Sequence, residues 1–242
     1  MARGTILVKG DISRDTVIYR TLSVERLFEF FENKQNVVVR PGLWADTFEN
    51  LALYSQIDAA GETGQFEFKD DIYGQCWTLH SASDAIWRIY SQGTNGIRIK
   101  STVGKLFDSL AISEYGMQGE TFIGKVNYLS DIELKDFAAS HFVSSGLNSR
   151  SIAETLTVKR NAFVHEKEVR LIYIADSRLQ TPVIKYDIDP HDLVDQVMIH
   201  PQLPKDQAKR LKWVIHNYLN FQGEVKRSLL YAFPKDFAFK II

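Results

Sequence analysis

The chain has 242 residues, of which 29 are lysine or arginine and 30 are aspartate or glutamate, so its formal net charge is −1. This balance excludes nucleic-acid binding by bulk charge, because binding of that kind needs a strongly positive protein. With 45% hydrophobic and 24% charged residues, the composition is that of a globular protein long enough to bury a sizeable core. We expect a single domain over residues 1–242, because no linker or fixed-period repeat interrupts the chain.

Cysteine usage and hydropathy predict the compartment. Cys76 is the only cysteine, which excludes an internal disulfide or a cysteine-rich zinc finger and fits a reducing environment. The N-terminal segment has apolar residues only at Ile6, Leu7 and Val8 before charge resumes, and no 18-residue apolar run occurs. We therefore expect a cytoplasmic protein that does not span or bind a membrane.

The hydrophobic pattern predicts mixed strands and helices. A strand over residues 16–20 is followed by Ser23, which offers an N-cap to a helix carrying Leu27, Phe28, Phe30 and Phe31. Further strands are predicted over residues 36–40, 75–80, 96–100, 121–128, 155–159, 168–174, 183–188, 194–199 and 225–231, and helices over 83–91, 131–142 and 205–221. Because strands and helices do not alternate regularly, the pattern favours an α+β fold over a doubly wound sheet.

Common cofactor signatures are missing from the sequence. No G-x-G-x-x-G occurs, and the pair Gly104-Lys105 is followed by Leu106 where a Walker loop needs serine or threonine. The six histidines show no metal-ligand spacing. The sequence therefore predicts neither a Rossmann nor a P-loop site, and no metal site.

An E-x-E segment carries the most unusual charge pattern. Glu166, Glu168 and Arg170 alternate along a predicted strand, so they project from one face at the entry of a run that is apolar on both faces. A desolvated carboxylate without a partner is costly, so these groups must be paired or used. One interpretation is an ion-pair ladder in which Arg170 and a basic neighbour such as Lys159 or Arg160 neutralise both glutamates.

The order of three polar positions supports a functional interpretation. Arg20 ends the first strand, Thr78 ends a later strand before an aromatic helix, and E-x-E opens a late strand. In this order they resemble the R-S-E class of ADP-ribosyltransferases, in which an arginine, a Ser/Thr motif and E-x-E form one NAD cleft. The middle motif differs from the Ser-Thr-Ser usual in that class, so Ser81 and Ser83 are alternatives to Thr78 for the hydroxyl.

A second resemblance covers nearly the full length of the chain. It is to a bacterial family of unknown function linked to toxin and phage-defence loci, and it implies no activity of its own. The matching positions are Tyr19-Arg20, Trp44-Ala-Asp-Thr-Phe-Glu49, Cys76-Trp77-Thr78, Trp87-x-x-Tyr90, Gly96-Ile97-Arg98-Ile99, Glu166-x-Glu168-x-Arg170 and Ser228. Together the two resemblances imply an ADP-ribosyltransferase-like split β-sheet with flanking helices, acting as a bacterial toxin or anti-phage effector.

The resemblance to ADP-ribosyltransferases implies a role for each residue, with NAD as the co-substrate. Cleavage of the nicotinamide–ribose bond builds positive charge on the ribose, which an ionised Glu168 would stabilise. Glu166 would orient or deprotonate the acceptor. Arg20 would grip the pyrophosphate, and Thr78 would hold the catalytic glutamate in its productive rotamer.

Three aromatic residues complete the predicted cofactor-binding set. Tyr19 precedes Arg20, and Trp87 and Tyr90 lie three residues apart on one helix and so share a face. That face suits stacking on the nicotinamide or the adenine. Packing into the core is the alternative, and it is the favoured interpretation for Trp87.

The expected partner is a macromolecular acceptor, either protein or nucleic acid. Six basic residues cluster in the C-terminal part of the sequence: Lys205, Lys209, Arg210, Lys212, Lys226 and Arg227. They form either a local basic face that docks RNA or DNA or, as the favoured interpretation, a solvated helix face. A toxin that modifies an abundant macromolecule also needs a neutralising partner protein to spare its host.

Two functions of other classes stay open at this point. One is a non-catalytic interaction or regulatory module of a defence or toxin–antitoxin system, which would have no affinity for NAD. The other is a metal-dependent nuclease that uses Asp46, Glu49, Glu166 and Glu168 around magnesium.

Overall fold

The computed structural model describes residues 3–7, 12–44, 46, 57–59, 62–64, 67–91 and 93–233. Its strands are β1 (Arg3–Leu7), β2 (Val17–Ser23), β3 (Gln35–Val39), β4 (Ile57–Ala59), β5 (Glu62–Gly64), β6 (Ile72–Thr78), β7 (Gly96–Thr102), β8 (Gly119–Lys125), β9 (Asn127–Leu129), β10 (Val158–Arg160), β11 (Glu168–Ala175), β12 (Val183–Asp187), β13 (Gln196–Ile199) and β14 (Glu224–Arg227). Its α-helices are α1 (Val24–Asn33), α2 (Asp84–Tyr90), α3 (Val103–Ala111), α4 (Glu114–Met117), α5 (Asp131–Ser145), α6 (Ser149–Thr155), α7 (Pro190–Leu193) and α8 (Lys205–Asn217). Strands and helices do not alternate regularly, so the α+β prediction is confirmed.

Most strands join one large mixed sheet in the order β1-β8-β11-β6-β2-β7-β13-β14, and β12 and β3 attach to it through β6. Strand β11 is antiparallel to both β6 and β8, and all eight of its residues are buried. Its β-branched and aromatic residues suit such a central position. None of the described helices is long and apolar enough to cross a bilayer.

The sheet opens between β2 and β6. Within the described residues these strands share a single residue pair, Tyr19 with Thr78. From that point β2 continues along β7 over seven pairs, while β6 continues along β11 over seven pairs. Strand β3 is likewise tied to β6 by one pair, Val39 with Gly74. The predicted split of the sheet is therefore confirmed, and it leaves a gap bordered by β2, β3 and β6.

Helices cover both faces of the sheet, and the alternation along β11 shows which side chains meet which layer. Val169, Leu171 and Tyr173 belong to the larger core cluster, which also contains apolar residues of α1, α3 and α8. Ile172 and Ile174 belong to a smaller cluster with residues of α6. Because strand side chains alternate, Glu168 and Arg170 share the face of this smaller cluster.

Local signals explain most element boundaries. Ser23 and Ser83 cap α1 and α2, each accepting a hydrogen bond from a main-chain N–H three residues on. The strand predicted over residues 155–159 is wrong at its start, because α6 ends at Thr155 and β10 begins only at Val158. The sequence reading also missed α3, which follows β7 directly because Thr102 both ends that strand and caps the helix.

Candidate functional site

A cavity of about 280 Å³ fills the gap where the sheet splits. This volume is near the lower end of the range of about 300–1,000 Å³ for small-molecule pockets. Six of the residues predicted for the site line it: Tyr19, Arg20, Thr78, Tyr90, Glu166 and Glu168. The remaining lining residues are Thr21, Val37, Val39, Trp44, Gly74, Gln75, Cys76, Trp77 and Ile86.

The two glutamates reach the cavity from different elements. Glu168 is the first residue of β11, as predicted, but Glu166 is the last residue of the 3₁₀ turn Asn161–Glu166. The prediction that Glu166 lies in the strand is therefore wrong. The reason is Lys167, whose positive φ of 43° bends the chain between the turn and the strand. Both carboxylates are nevertheless buried and converge on one cation.

That cation is Lys159 of β10, which is itself 5% exposed. Its Nζ donates hydrogen bonds to Glu166 Oε2 and, at 2.5 Å, to Glu168 Oε1. The other oxygen of Glu168 accepts from Nε of the fully buried Arg170 at 2.7 Å. The ion-pair interpretation is thus confirmed for Lys159 and Arg170. Arg160, the other proposed neighbour, pairs instead with Asp46.

The glutamate pair has divergent acidities. Burial raises the pKa of the Glu166 carboxyl to about 7, and hydrogen bonding to the neighbouring Glu168 adds to the rise. Burial would also raise the pKa of Glu168, but the charges of Arg170 and Lys159 hold it well below its usual range. At neutral pH the site therefore contains one firmly ionised carboxylate beside one that takes up and releases a proton.

Thr78 supports the glutamates through the main chain. Its hydroxyl donates to the backbone carbonyl of Glu166 at 2.5 Å and accepts from the N–H of His80 at 3.1 Å. Thr78 is also the register partner of Glu168 on β11. It therefore fixes the turn that presents Glu166, and it makes no hydrogen bond to the glutamate side chain that was expected to depend on it.

Arg20 is the cationic side chain of the cavity that has no counter-ion. No hydrogen bond or ion pair of its guanidinium is found within the described part of the chain, and burial lowers its pKa. Its side chain also borders a second cavity of about 410 Å³ beyond β2. A half-buried guanidinium without a carboxylate partner favours the binding of an anion.

The aromatic residues fall into two groups. The Tyr90 hydroxyl donates to Glu166 Oε1 at 2.8 Å, and burial together with the charge of Glu166 raises the pKa of this phenol. Tyr19 stacks under Arg98, whose guanidinium carbon lies 4.5 Å from the ring centroid. Trp87 does not line the cavity. It is 2% exposed and packs edge-on against His200 at 5.1 Å, which agrees with core packing rather than NAD contact.

Trp44 lies in a turn-rich segment for which the sequence left a cleft wall and an Asx turn equally open, and the structure places it in the cavity wall. Its ring lies 4.6 Å from the Arg170 guanidinium carbon and against Gly74 of β6. A Cβ added at Gly74 would approach Trp44 Cζ2 to 2.7 Å, so only glycine allows this contact. Glycine in a buried strand often marks such a close approach, and this was the available signal.

Of the four residues proposed for a magnesium site, the three that the structure describes are each paired with a cation. Asp46 is held by Arg160 at 2.9 Å, Glu166 and Glu168 are held by Lys159, and Glu49 lies outside the described residues. Among the side chains that the structure describes, no three of the His, Cys, Asp and Glu residues are placed to hold a metal ion. The carboxylates at the cavity already have cationic partners.

No protein-family model and no curated protein sequence matches the chain. Among solved structures, it is similar to DarT from Thermus sp. 2.9 in complex with carba-NAD⁺, with a TM-score of 0.40, 11% identity and coverage of 89% of this chain and 97% of that chain. The complex of the same protein with NAD⁺ has a TM-score of 0.42 and 10% identity, and the match covers 90% of this chain and 97% of that chain. The complex with ADP-ribosylated ssDNA has a TM-score of 0.42 and 9% identity, and the match covers 91% of this chain and 98% of that chain. At this level of similarity the function has to be judged from the cavity itself.

Proposed function

We propose that this chain is an NAD-dependent ADP-ribosyltransferase that modifies a macromolecule. The observation that carries the proposal is the pairing, in one cavity, of an arginine without a counter-ion and a glutamate kept ionised by two buried cations. The first suits a pyrophosphate, and the second suits a ribose that develops positive charge. NAD has both groups, and it would serve as the co-substrate.

The roles of the residues follow from their charge states. As the bond between the ribose C1′ and the nicotinamide nitrogen breaks, Glu168 would stabilise the positive charge of the ribose. An acceptor atom would then form a bond to C1′, and its proton would pass to Glu166, whose pKa of about 7 suits a general base. Arg20 would bind the diphosphate, and Thr78 would act as a positioning residue through the main chain of Glu166.

Lys159 determines the charge balance of the site before substrate binds. Its ammonium contacts both carboxylates, so the cavity holds a neutralised cluster rather than two exposed anions. A ribose hydroxyl that bonds Glu168 would share this carboxylate with Lys159. The cluster therefore keeps Glu168 ionised and in a fixed orientation, which is the preorganisation that such catalysis requires.

The biological role belongs to the same proposal. We infer that residues 1–242 work as one domain, in the cytoplasm, as a toxin or anti-phage effector restrained by a neutralising partner protein. The rival function, a non-catalytic regulatory module, predicts a cavity with no affinity for NAD. A magnesium-dependent nuclease has less support, because Asp46, Glu166 and Glu168, the described residues among its proposed ligands, are paired with Arg160, Lys159 and Arg170.

The test is transfer from NAD labelled in its adenylate phosphate. The purified chain is incubated with the label and a bacterial lysate, and the protein and nucleic-acid fractions are counted separately. We expect label in one fraction with the wild-type chain and none with Glu168→Gln. The control Glu114→Gln, an exposed residue of α4, should label like the wild type. Absence of label in both fractions, together with no NAD binding by calorimetry, would favour the regulatory module.

A further inference from the structure

A groove separate from both cavities described above lies between α8 and the β13–β14 edge of the sheet. This groove has a volume of about 760 Å³, and the described residues that line it include six cations and no carboxylate. The cations are Arg98, Lys205, Lys209, Lys212, Lys226 and Arg227. In a chain whose total charge is −1, so many cations at one surface are a local segregation of charge.

The helix contributes a row of three exposed lysines. Lys205, Lys209 and Lys212 stand four and three residues apart, so they lie on one face of α8 and span about 10 Å along its axis. None of them forms an ion pair within the described part of the chain. Their charge therefore stays available to an anionic partner that runs along the helix.

The strand side of the groove differs in how its cations are held. Arg227 donates to the backbone carbonyls of Leu203, at 2.8 Å, and of Pro201, which orient its guanidinium without neutralising it. Lys226 is paired with Glu224 and so contributes less. The groove therefore presents at least one fixed cation opposite the exposed lysines of α8.

The deepest cation is Arg98, which is 7% exposed. Its Nε has no hydrogen-bond partner, and burial lowers the pKa of its guanidinium. An unsatisfied buried guanidinium in the wall of a basic groove favours an incoming anion. Arg98 also stacks on Tyr19, which lines the cavity of the glutamates, so the groove and that cavity share this wall.

We propose that this groove docks the phosphodiester backbone of a single-stranded nucleic acid. Five of the six cations form no ion pair with a carboxylate of the described residues, and such a row of charges is complementary to a row of phosphates. Apolar lining at Ala82, Met198 and the 74% exposed Leu229 suits unpaired bases, which a duplex would not offer. Ser81 and Ala82 follow Thr78 closely in sequence, so a docked strand lies beside the cavity. That the docked strand is the acceptor rests on the proposed function, whereas its binding to the groove does not.

The test measures binding of a fluorescently labelled single-stranded 12-mer to the full chain by anisotropy, without NAD, at several salt concentrations. The variant Lys209→Gln/Lys212→Gln removes two contacts, each worth about 0.7 in the slope of log affinity against log salt. We expect the slope to fall by about 1.4, which corresponds to roughly 25-fold weaker binding at 0.1 M salt. Lys135→Gln, an exposed change on α5, is the matched control and should leave the affinity unchanged.

Several outcomes would overturn the inference. These are no binding at 0.05 M salt, equal weakening by Lys135→Gln, binding of the duplex as tight as that of the single strand, or full displacement of the 12-mer by poly-glutamate at equal charge. NAD turnover and melting temperature are measured on the same samples. If Lys209→Gln/Lys212→Gln loses oligonucleotide binding but keeps its NAD turnover, the groove is supported independently of the NAD site. If the wild-type chain binds the oligonucleotide but does not turn over NAD, the proposed function is contradicted and the groove is not.

Discussion

Replacement of Lys159 by methionine tests how the site tolerates two neighbouring carboxylates. Methionine keeps much of the length of the side chain but removes the ammonium that contacts Glu166 and Glu168. All three groups are at most 5% exposed, so water cannot take the place of the lost charge. Removing one partner of a buried ion pair typically costs about 3–5 kcal/mol. Because a protein of this size loses about 2–4 °C per kcal/mol, we expect Lys159→Met to melt about 6–20 °C lower at pH 8.

The loss should depend on pH in a defined direction. The pKa of Glu166 is already about 7, and Lys159 is one of the groups that lower it, so the variant should protonate Glu166 more readily. At pH 6 the protonated form removes most of the repulsion, and the loss of stability should be smaller than at pH 8. The assay is thermal unfolding of wild type and variant at both pH values.

Two further variants complete the Lys159 experiment. Adding Glu166→Gln to Lys159→Met should restore more than half of the lost stability at pH 8, since one carboxylate paired with Arg170 remains. Lys135→Met, on the exposed surface of α5, should stay within about 0.5 kcal/mol of wild type. Equal destabilisation at pH 6 and pH 8, or no rescue in the double variant, would refute the reasoning.

Three other predictions concern the same cavity. Arg20→Lys should weaken NAD binding in calorimetric titration by about tenfold or more, because lysine lacks the planar two-donor fork, and an unchanged affinity would remove Arg20 from the phosphate site. Thr78→Val should lose about 1–3 kcal/mol in chemical denaturation by leaving the Glu166 carbonyl unsatisfied, whereas Thr121→Val, at a buried hydroxyl without a partner among the described residues, should be neutral or stabilising. The turnover number for transfer should rise with pH through about 7 as Glu166 deprotonates, and Glu166→Gln should abolish that rise. The stability of the fold should change with pH in the opposite direction to the turnover number. Because the pKa of Glu166 is raised from 4.5 to about 7 in the folded state, its contribution to stability is complete below pH 4.5 and is lost as the pH rises through about 7.

The residues that line the cavity were easier to predict from the sequence than the arrangement of the strands around it. The two glutamates stood out by their alternation at the entry of an apolar run, and Arg20 and Thr78 by the resemblance to the R-S-E class; the structure brings all four to one cavity. Periodicity cannot show that β2 and β6 part after one residue pair, since this depends on how two distant strands twist in the sheet. The cavity itself is therefore a tertiary feature.

The errors also have physical causes. Glu166 was assigned to the strand because E-x-E-x-R alternates with period two, but the left-handed backbone at Lys167 ends the turn there. Trp87 and Tyr90 were placed on one face by their spacing. Their helix has only seven residues and packs on the sheet, so Trp87 enters the core while Tyr90 reaches Glu166. The Arg98–Tyr19 stack joins two adjacent strands, and sequence spacing gives no sign of it.

The proposed toxin role leads to a prediction in cells. Induced expression of the chain in a bacterium should slow growth, and Glu168→Gln should relieve the effect at matched protein levels. Because the same carboxylate is proposed to serve catalysis, relief by Glu168→Gln ties growth inhibition to the cavity. Equal growth of cells expressing the two proteins would argue against a toxin and in favour of a regulatory module.

The release of nicotinamide from NAD by purified wild type and Glu168→Gln tests the central claim most directly. Glutamine keeps an oxygen for Arg170 but removes the charge that the developing positive ribose requires. We predict that turnover falls by about 100-fold or more, while the variant still unfolds cooperatively and Glu114→Gln turns over like wild type. Wild-type turnover in a Glu168→Gln protein with a wild-type melting curve would contradict the assignment of Glu168 as the catalytic carboxylate.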